Sequence, residues 1–168
     1  RSMSLVIDFI ALIAMILHSS LSGIYFGTHF HTVESWSAAT ATVVSVIDGD
    51  TIIVKPEDST TTVRVRYIGI DAPELHPRPE CGAASSTARN RELVAGKTVQ
   101  LVPDTGYYDT YGRRLAYVYV GNTFVNEVLV AEGWATVMTI LPNTEYQQVF
   151  ERTAAAARTE NRGIWKCR

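Results

Sequence analysis

The hydrophobic pattern of the chain takes a period of two near Ala41 and keeps it through five short segments. These segments are rich in β-branched and aromatic residues, and a two-residue alternation is typical of strands, whereas helices have a period near 3.6. The dipeptide Asp48-Gly49 is a strong hairpin signal between the first two segments. We therefore predict five strands, at 42–47, 51–55, 62–68, 98–102 and 114–120.

Three helices are predicted between and after these strands. The alanine-rich segment 83–95 stops at Gly96, and the segment 125–132 is also followed by a glycine, the residue type that most often ends helices. A third helix is predicted to begin at Asn143 and to end at Gly163. One helix after the third strand and two after the fifth indicate an α+β fold, mainly β: a five-stranded Greek-key barrel of OB type, a fold often used to bind oligonucleotides.

The N-terminal segment has a different character. Residues 5–17 are apolar except for Asp8, and the segment stays fairly apolar to Phe26. A signal peptide needs an apolar core of about 7–15 residues and a membrane helix needs about 20, so both interpretations fit, and a buried soluble helix is a third. The predicted organisation is an apolar N-terminal helix that serves as signal peptide or membrane anchor over 1–26, a linker over 27–40 and the folded domain over 41–168.

Export would place the domain outside the cytoplasm, either secreted or anchored to a membrane. The chain has two cysteines, Cys81 and Cys167, which lie far apart and lack the short spacings of metal sites. In a reducing compartment they would be two unrelated buried thiols, but an oxidising one would favour a disulfide between them. That bond would tie the C-terminal end of the chain to the loop near residue 81.

Charge and composition set limits on the partners. The net charge is −2 and the isoelectric point is about 6.1, so the chain lacks the overall basic character of most nucleic-acid-binding proteins. An enzyme that must release its product needs only a local cationic cleft. A composition of 46% hydrophobic and 19% charged residues is that of a folded globule and excludes a disordered chain.

Acidic residues gather at two predicted strand ends. Asp48 and Asp50 flank the glycine of the first hairpin, and Asp71 and Glu74 follow the third strand directly. Calcium binds carboxylates, backbone carbonyls and water together, so two aspartates would form an open site that a substrate phosphate can complete. For Asp48 a simple turn role is favoured, whereas Asp50 is a better ligand candidate because the turn is already supplied by its neighbours.

Arginines provide the complementary charge. Arg66 lies on the third strand, and Arg113 follows the turn 109–112. A guanidinium binds phosphate through a two-pronged fork and keeps its charge. Two of them could therefore stabilise the extra negative charge of a five-coordinate phosphodiester transition state. Any single arginine could instead be a solvated surface charge, which is the interpretation favoured for Arg64 or Arg114.

The region from Ala41 to Trp165 resembles the staphylococcal nuclease (thermonuclease) family in the order and spacing of its motifs. The matching stretches are ATVVSVIDGDTI, VRYIGIDAPE, DTYGRRLAYVYV, FVNEVLVAEGWA and NRGIW. The resemblance implies a monomeric, Ca²⁺-dependent nuclease that cuts the 5′ P–O bond of DNA and RNA and leaves 3′-phosphate ends. The alternatives are a non-catalytic OB module that binds nucleic acid or protein, and a membrane-associated structural domain.

The resemblance also implies which residues bind the metal and activate water. Asp50 and Asp71 would bind Ca²⁺ through their carboxylates, and Ala72 through its backbone carbonyl. Glu74 would act as general base on the attacking water or would orient it. The loop 75–82 that follows is shorter and less lysine-rich than in the family.

Further positions are implied to bind the substrate. Arg66 and Arg113 would clamp the scissile phosphate, and Tyr111 would donate a hydrogen bond to a neighbouring one. Two tyrosines that line the family's nucleotide pocket are replaced by Met138 and Ile140 in this chain. Stacking on a base at these two positions is therefore not expected.

Overall fold

The structure is a computed structural model and describes residues 37–167. Within this range the elements follow in the order β1 (Ala39–Val46), β2 (Thr51–Pro56), β3 (Val63–Tyr67), β4 (Gly69–Asp71), α1 (Ala83–Val94), β5 (Thr98–Val102), β6 (Arg114–Val120), β7 (Thr123–Phe124), α2 (Val125–Ala131), β8 (Thr136–Met138), α3 (Gln147–Thr159) and a 3₁₀ helix (Gly163–Lys166). The predicted helix over 1–26 and most of the predicted linker lie outside the described residues. No helix in the described range is long and apolar enough to cross a membrane.

Five strands form a closed barrel. Antiparallel ladders join β3, β2, β1, β5 and β6 in that order, and a parallel ladder between β3 and β6 closes the ring. The predicted five-stranded OB-type barrel with three helices is therefore confirmed. The first strand begins at Ala39, three residues before the predicted start at 42, because its first residues pair with β5 rather than with the hairpin partner.

Alternate residues of the barrel strands fill its interior, as a two-residue period requires. Fully buried strand residues include Ile52, Val54, Val65, Val99 and Leu101. Each large apolar side chain that is buried in this way stabilises the fold by roughly 1.5–3 kcal/mol. Four aromatic rings pack together beside these residues: Tyr117 of β6, Phe124 of β7, Tyr146 just before α3 and Phe150 of α3. The first three meet edge to face, and the Phe150 ring is tilted against them.

A second, two-stranded sheet pairs β4 with β8. The sequence pattern did not predict it, because strands of three residues are too short to establish a period. Gly69 opens β4 with a φ of 79°, and a Cβ atom there would lie 2.6 Å from the Phe150 ring. The close contact explains why this position holds a glycine.

The last helix differs from its prediction at both ends. α3 begins at Gln147 rather than Asn143, and it ends at Thr159 rather than near Gly163. Asn143 is buried, and its side-chain amide exchanges two hydrogen bonds with the backbone of Gly106, which holds this residue outside the helix. A left-handed residue after the helix separates α3 from the 3₁₀ helix.

The disulfide predicted for an oxidising compartment is present. Cys81 and Cys167 are bonded, with their Cα atoms 6.0 Å apart. The bond connects the segment just before α1 to the residue that follows the 3₁₀ helix. The C-terminal end is thereby fixed beside the loop that carries Glu74.

Candidate active site

A cavity of about 560 Å³ opens at one end of the barrel. Its walls come from β3 and β4, from the loop that leads into β6, and from the loop between β8 and α3. Five of the seven predicted site residues line it: Arg66, Asp71, Glu74, Tyr111 and Arg113. The other two are in direct contact with one another, because the Ala72 N–H donates a hydrogen bond to Asp50 Oδ2 at 2.6 Å.

Asp50 is a buried carboxylate immediately before β2, with only 4% of its surface exposed. Its Oδ1 accepts a hydrogen bond from the Thr51 hydroxyl and lies 3.1 Å from Nε of Arg66. Burial raises the pKa of Asp50 to about 7; Arg66 opposes this shift, and the neighbouring charges of Asp48 and Asp71 add to it. The charged form of this carboxylate is therefore disfavoured mainly by its burial, and a further cation nearby would stabilise it.

Arg66 connects the two aspartates. Its Nη2 donates to Asp71 Oδ1 at 2.8 Å, and its Nη1 donates to the carbonyl oxygens of Tyr67 and Ile70. A guanidinium has five N–H donors. With Nε beside Asp50, four of these donors face protein oxygens, so Arg66 can offer one further N–H to a ligand.

Asp48 has the turn role that was predicted, since its Oδ1 accepts the backbone N–H of Asp50 at 3.0 Å. The carbonyl oxygen of Asp48 in turn accepts a hydrogen bond from Asn90, a fully buried residue of α1 whose Oδ1 is bound by the Tyr67 hydroxyl. Sequence reasoning missed Asn90, because a polar residue on an alanine-rich helix gives no local sign of a partner 42 positions away.

Glu74 is exposed at the edge of the cavity. Partial burial raises its pKa, the negative charges of Asp48 and Asp71 raise it further, and Arg66 lowers it. In the part of the chain that the structure describes, its carboxylate accepts no hydrogen bond, whereas its backbone N–H is bound by Glu80. The carboxylate is therefore accessible to water and can accept a proton.

Arg113 and Tyr111 line the same cavity from the turn before β6. The Nε–H of Arg113 donates a hydrogen bond to Asp109 Oδ2 at 2.5 Å. The backbone N–H groups of Tyr111 and Arg113 both donate to Asp109 Oδ1. Within residues 37–167 the two Nη groups of Arg113 have no hydrogen-bond acceptor, and the guanidinium carbon lies 5.5 Å from the centre of the Tyr111 ring. Both Nη groups therefore remain as donors for a ligand. Asp109 was missed by sequence reasoning, although its spacing of four residues from Arg113 could have indicated it.

An apolar wall completes the cavity. Met138 and Ile140 line it with 44% and 62% of their surfaces exposed, and Leu141 lies beside them with 80% exposed. These aliphatic side chains offer contact area to a flat apolar group but no aromatic face. The wall is held to the turn before β6 by the paired hydrogen bonds between Asn143 and Gly106.

The residues present fit an open site for a hard divalent cation. Asp50 and Asp71 provide carboxylate oxygens, the ligand type that Ca²⁺ prefers. No cluster of three or more His, Cys, Asp or Glu side chains in a metal-binding arrangement occurs between residues 37 and 167. An ion bound here would therefore need backbone carbonyl, water or substrate oxygens as well.

Comparison with known proteins shows which family the chain is similar to. Residues 64–167 match the family described as staphylococcal nuclease homologue. The chain is 40% identical over 129 residues to the SPbeta prophage-derived endonuclease YokF of Bacillus subtilis (strain 168), an alignment that covers 74% of the chain and 43% of that protein. It is 38% identical over 127 residues to the thermonuclease of Staphylococcus hyicus, with 73% of each protein covered.

A third relative is the endonuclease YncB of Bacillus subtilis (strain 168), which is 36% identical over 140 residues. That alignment covers 80% of the chain and 65% of YncB. The chain therefore spans less than half of YokF and about two thirds of YncB. With its matching motifs, its barrel and these similarities, the chain belongs to the staphylococcal nuclease family.

Proposed function

We propose that this domain is a Ca²⁺-dependent nuclease that hydrolyses phosphodiester bonds of DNA and RNA at the 5′ P–O bond and leaves 3′-phosphate ends. The observation that carries the proposal is the Asp50–Arg66–Asp71 network, in which Asp50 is buried, at a cavity whose lining also includes Glu74 and Arg113. The names of the relatives, thermonuclease and endonuclease, support a hydrolase that acts on nucleic acid.

Asp50 and Asp71 would hold the metal, with the backbone carbonyl of Ala72 as a third protein ligand. When bound, Ca²⁺ would offset the negative charge of the phosphate. The raised pKa of Asp50 is consistent with this assignment, because burial disfavours the charged carboxylate, the charges of Asp48 and Asp71 add to this, and a nearby cation would stabilise the charged form. Arg66 connects the two carboxylates and keeps them in place.

Glu74 would accept the proton of the attacking water. The water oxygen then bonds to phosphorus and the bond from phosphorus to the 5′ oxygen breaks. That oxygen takes a proton from solvent and leaves as a 5′ hydroxyl, and Glu74 releases its proton to solvent, so the protons balance. An exposed carboxylate at the cavity edge can reach a solvent water directly. Its raised pKa makes Glu74 a better proton acceptor than an ordinary surface glutamate.

Arg113 would supply most of the stabilisation of the transition-state charge. Asp109 fixes its Nε and leaves both Nη groups for phosphate oxygens, and such preorganised donors stabilise developing negative charge most effectively. Arg66 would add the one N–H that it has left. Tyr111, 83% exposed beside Arg113, would hydrogen-bond an adjacent phosphate, and the apolar wall would contact a nucleoside.

The test is a cleavage assay on heat-denatured DNA, duplex DNA and RNA, in Ca²⁺ and in EGTA. Ca²⁺-dependent cleavage is expected, with products that a DNA polymerase extends only after phosphatase treatment, because a 3′ phosphate blocks extension. Full activity in EGTA would contradict the metal requirement. Products that are extended without phosphatase would contradict the bond assignment.

A matched pair of variants tests the role of Glu74. Glu74→Gln should lower kcat by about 10²-fold or more, since general-base catalysis contributes roughly 10²–10⁴-fold. Glu57→Gln makes the same chemical change on the exposed surface after β2 and should leave kcat unchanged. Salt-sensitive binding of nucleic acid without turnover by the wild type would instead support the non-catalytic module.

We further propose that the domain functions outside the cytoplasm. The Cys81–Cys167 disulfide supports this, because such bonds persist in oxidising compartments and are rare in reducing ones. Fractionation of the producing cells, with activity measured inside and outside, tests it. Activity confined to the cytoplasmic fraction would contradict the proposal.

A further inference from the structure

The loop after Glu74 is closed at its base by two opposed hydrogen bonds. The N–H of Glu74 donates to Oε2 of Glu80 at 3.0 Å, and the N–H of Glu80 donates to the carbonyl oxygen of Glu74 at 2.9 Å. We call this pair of contacts the Glu74–Glu80 bracket. The residues between its ends are exposed except for the half-buried Leu75, so they provide little packing that could fix the loop.

The C-terminal end of this bracket is anchored to the body of the protein. Cys81, next to Glu80, is covalently bonded to Cys167. Gly82 then lies so close to Ile164 that a Cβ atom would stand 2.6 Å from its Cγ2, and Ala83 is fully buried. The 3₁₀ helix is itself held by a hydrogen bond from the Ile164 N–H to the Gly133 carbonyl oxygen at 2.8 Å.

The Glu74 side chain has no comparable support of its own. Its carboxylate accepts no hydrogen bond from any residue between 37 and 167, so its location depends on where the backbone of this loop is held. On the N-terminal side Ala72 and Pro73 are buried, and the Ala72 N–H donates a hydrogen bond to Asp50 Oδ2, so the backbone is held up to Pro73 and the Glu74–Glu80 bracket holds it from Glu74 onward. A reacting group that is misplaced by about 1 Å can cost roughly 10²-fold in rate.

We propose that Glu80 and the Cys81–Cys167 disulfide are positioning elements for Glu74; this inference rests on the proposed function. Glu80 holds the backbone of Glu74, and the disulfide holds Glu80. Neither contacts the reacting atoms. The exposed loop residues cannot fix the position of Glu74 by packing, so the anchored base of the loop fixes it instead.

The first test compares Glu80→Ala with Glu80→Gln. The alanine variant loses the acceptor for the Glu74 N–H and should lower kcat about tenfold with KM changed less than twofold, because positioning acts on the transition state. The glutamine variant keeps an acceptor oxygen and should stay within about threefold of wild type. Glu57→Ala, the matched surface control, should leave both constants unchanged.

The second test removes the anchor. The double variant Cys81→Ser/Cys167→Ser should also lower kcat about tenfold, and adding Glu80→Ala to it should cost less than Glu80→Ala costs in the wild type, because the two contacts act in series. All assays are run where urea titration shows each variant to be fully folded. If adding Glu80→Ala to the double cysteine variant lowers kcat by a further tenfold, Glu80 and the disulfide do not act in series and the shared positioning role is contradicted.

A readout that does not depend on catalysis is amide hydrogen exchange. The Glu74 N–H should be protected in wild type and in Glu80→Gln but exchange at least tenfold faster in Glu80→Ala. If wild type does not cleave nucleic acid, the proposed function fails whatever the exchange shows. If wild type cleaves, then unchanged kcat in Glu80→Ala, or an equal loss in Glu80→Gln, overturns the positioning role.

Discussion

Asp109 holds Arg113 at two points, through a 2.5 Å contact from Nε to Oδ2 and a 2.9 Å hydrogen bond from its backbone N–H to Oδ1. Although burial alone would raise the pKa of Asp109, the hydrogen bonds from Arg113 and from the Tyr111 N–H lower it. The carboxylate therefore stays ionised near neutral pH. Its charge restrains the guanidinium without occupying the two Nη groups.

We expect Asp109→Asn to lower kcat/KM for DNA cleavage by about tenfold, because Arg113 keeps its charge but loses the partner that orients it. Steady-state kinetics on a single-stranded oligonucleotide measures this. Asp58→Asn, on an exposed aspartate after β2, is the control and should be neutral. A rate for Asp109→Asn equal to wild type would mean that Arg113 does not need orienting.

Calcium should stabilise the fold through Asp50 and Asp71. At about 100 times its Kd, a ligand that binds only the folded state raises the free energy of unfolding by about 2.7 kcal/mol. Asp71→Asn should lose most of this increment, whereas Asp58→Asn should keep it. Urea unfolding with Ca²⁺ and with EGTA measures the difference, and an equal increment in Asp71→Asn would exclude Asp71 as a ligand.

Asp104 should make stability depend on pH in the acid range. Burial raises its pKa, but hydrogen bonds from the Tyr117 hydroxyl and from backbone N–H groups, including that of Glu145, outweigh burial and lower it. Because the folded pKa is depressed, the stabilisation is complete above the unfolded value of about 3.9 and is lost as the pH falls through the folded pKa.

Asp104→Asn should therefore cost about 1–2 kcal/mol at pH 7, where the charged acceptor is lost, and progressively less as the pH falls below about 4. Urea unfolding of wild type and variant from pH 7 to the most acidic pH at which both fold measures the gap. If the difference in free energy of unfolding between wild type and Asp104→Asn grows as the pH falls, the depressed pKa of Asp104 is contradicted.

Gly69→Ala and Gly96→Ala form a matched pair. Both glycines have positive φ angles, 79° and 69°, so each substitution strains the backbone by roughly 1–2 kcal/mol. At Gly69 the new methyl group also meets the Phe150 ring, whereas nothing lies within 4 Å at Gly96. We expect a loss of about 3 kcal/mol or more at Gly69 and about 1 kcal/mol at Gly96. If urea unfolding shows that both variants lose the same free energy of unfolding, the Phe150 ring moves away from the new methyl group without an energetic cost.

The barrel was predictable because its information is local. A period of two, a hairpin dipeptide and glycines at helix ends each act within a few residues of the chain. The start of α3 was not predictable in this way, because Asn143 is held outside the helix by Gly106, a residue 37 positions earlier. The short β4 and β8 strands likewise depend on pairing between distant segments.

The candidate site was partly predictable for a related reason. The family motifs supplied Arg66, Asp71 and Glu74, which the structure brings to one cavity, although their roles stay predictions. The motifs did not indicate that most donors of Arg66 face protein oxygens. Nor did they indicate Asn126, a fully buried side chain that bridges the Ile68 carbonyl and the Val118 N–H and so fixes the end of β3 to β6.

The disulfide has a consequence for how the molecule withstands a protease. The disulfide between Cys81 and Cys167, which are 86 positions apart, closes the intervening chain into a covalent ring. The turn with the exposed Tyr111 is part of this ring. A single cut at that turn opens the ring but leaves one covalently continuous molecule. The fragment with Glu74 and the fragment with Arg113 stay joined by the disulfide. The residues that line the cavity can therefore keep their relative positions after the backbone is cut.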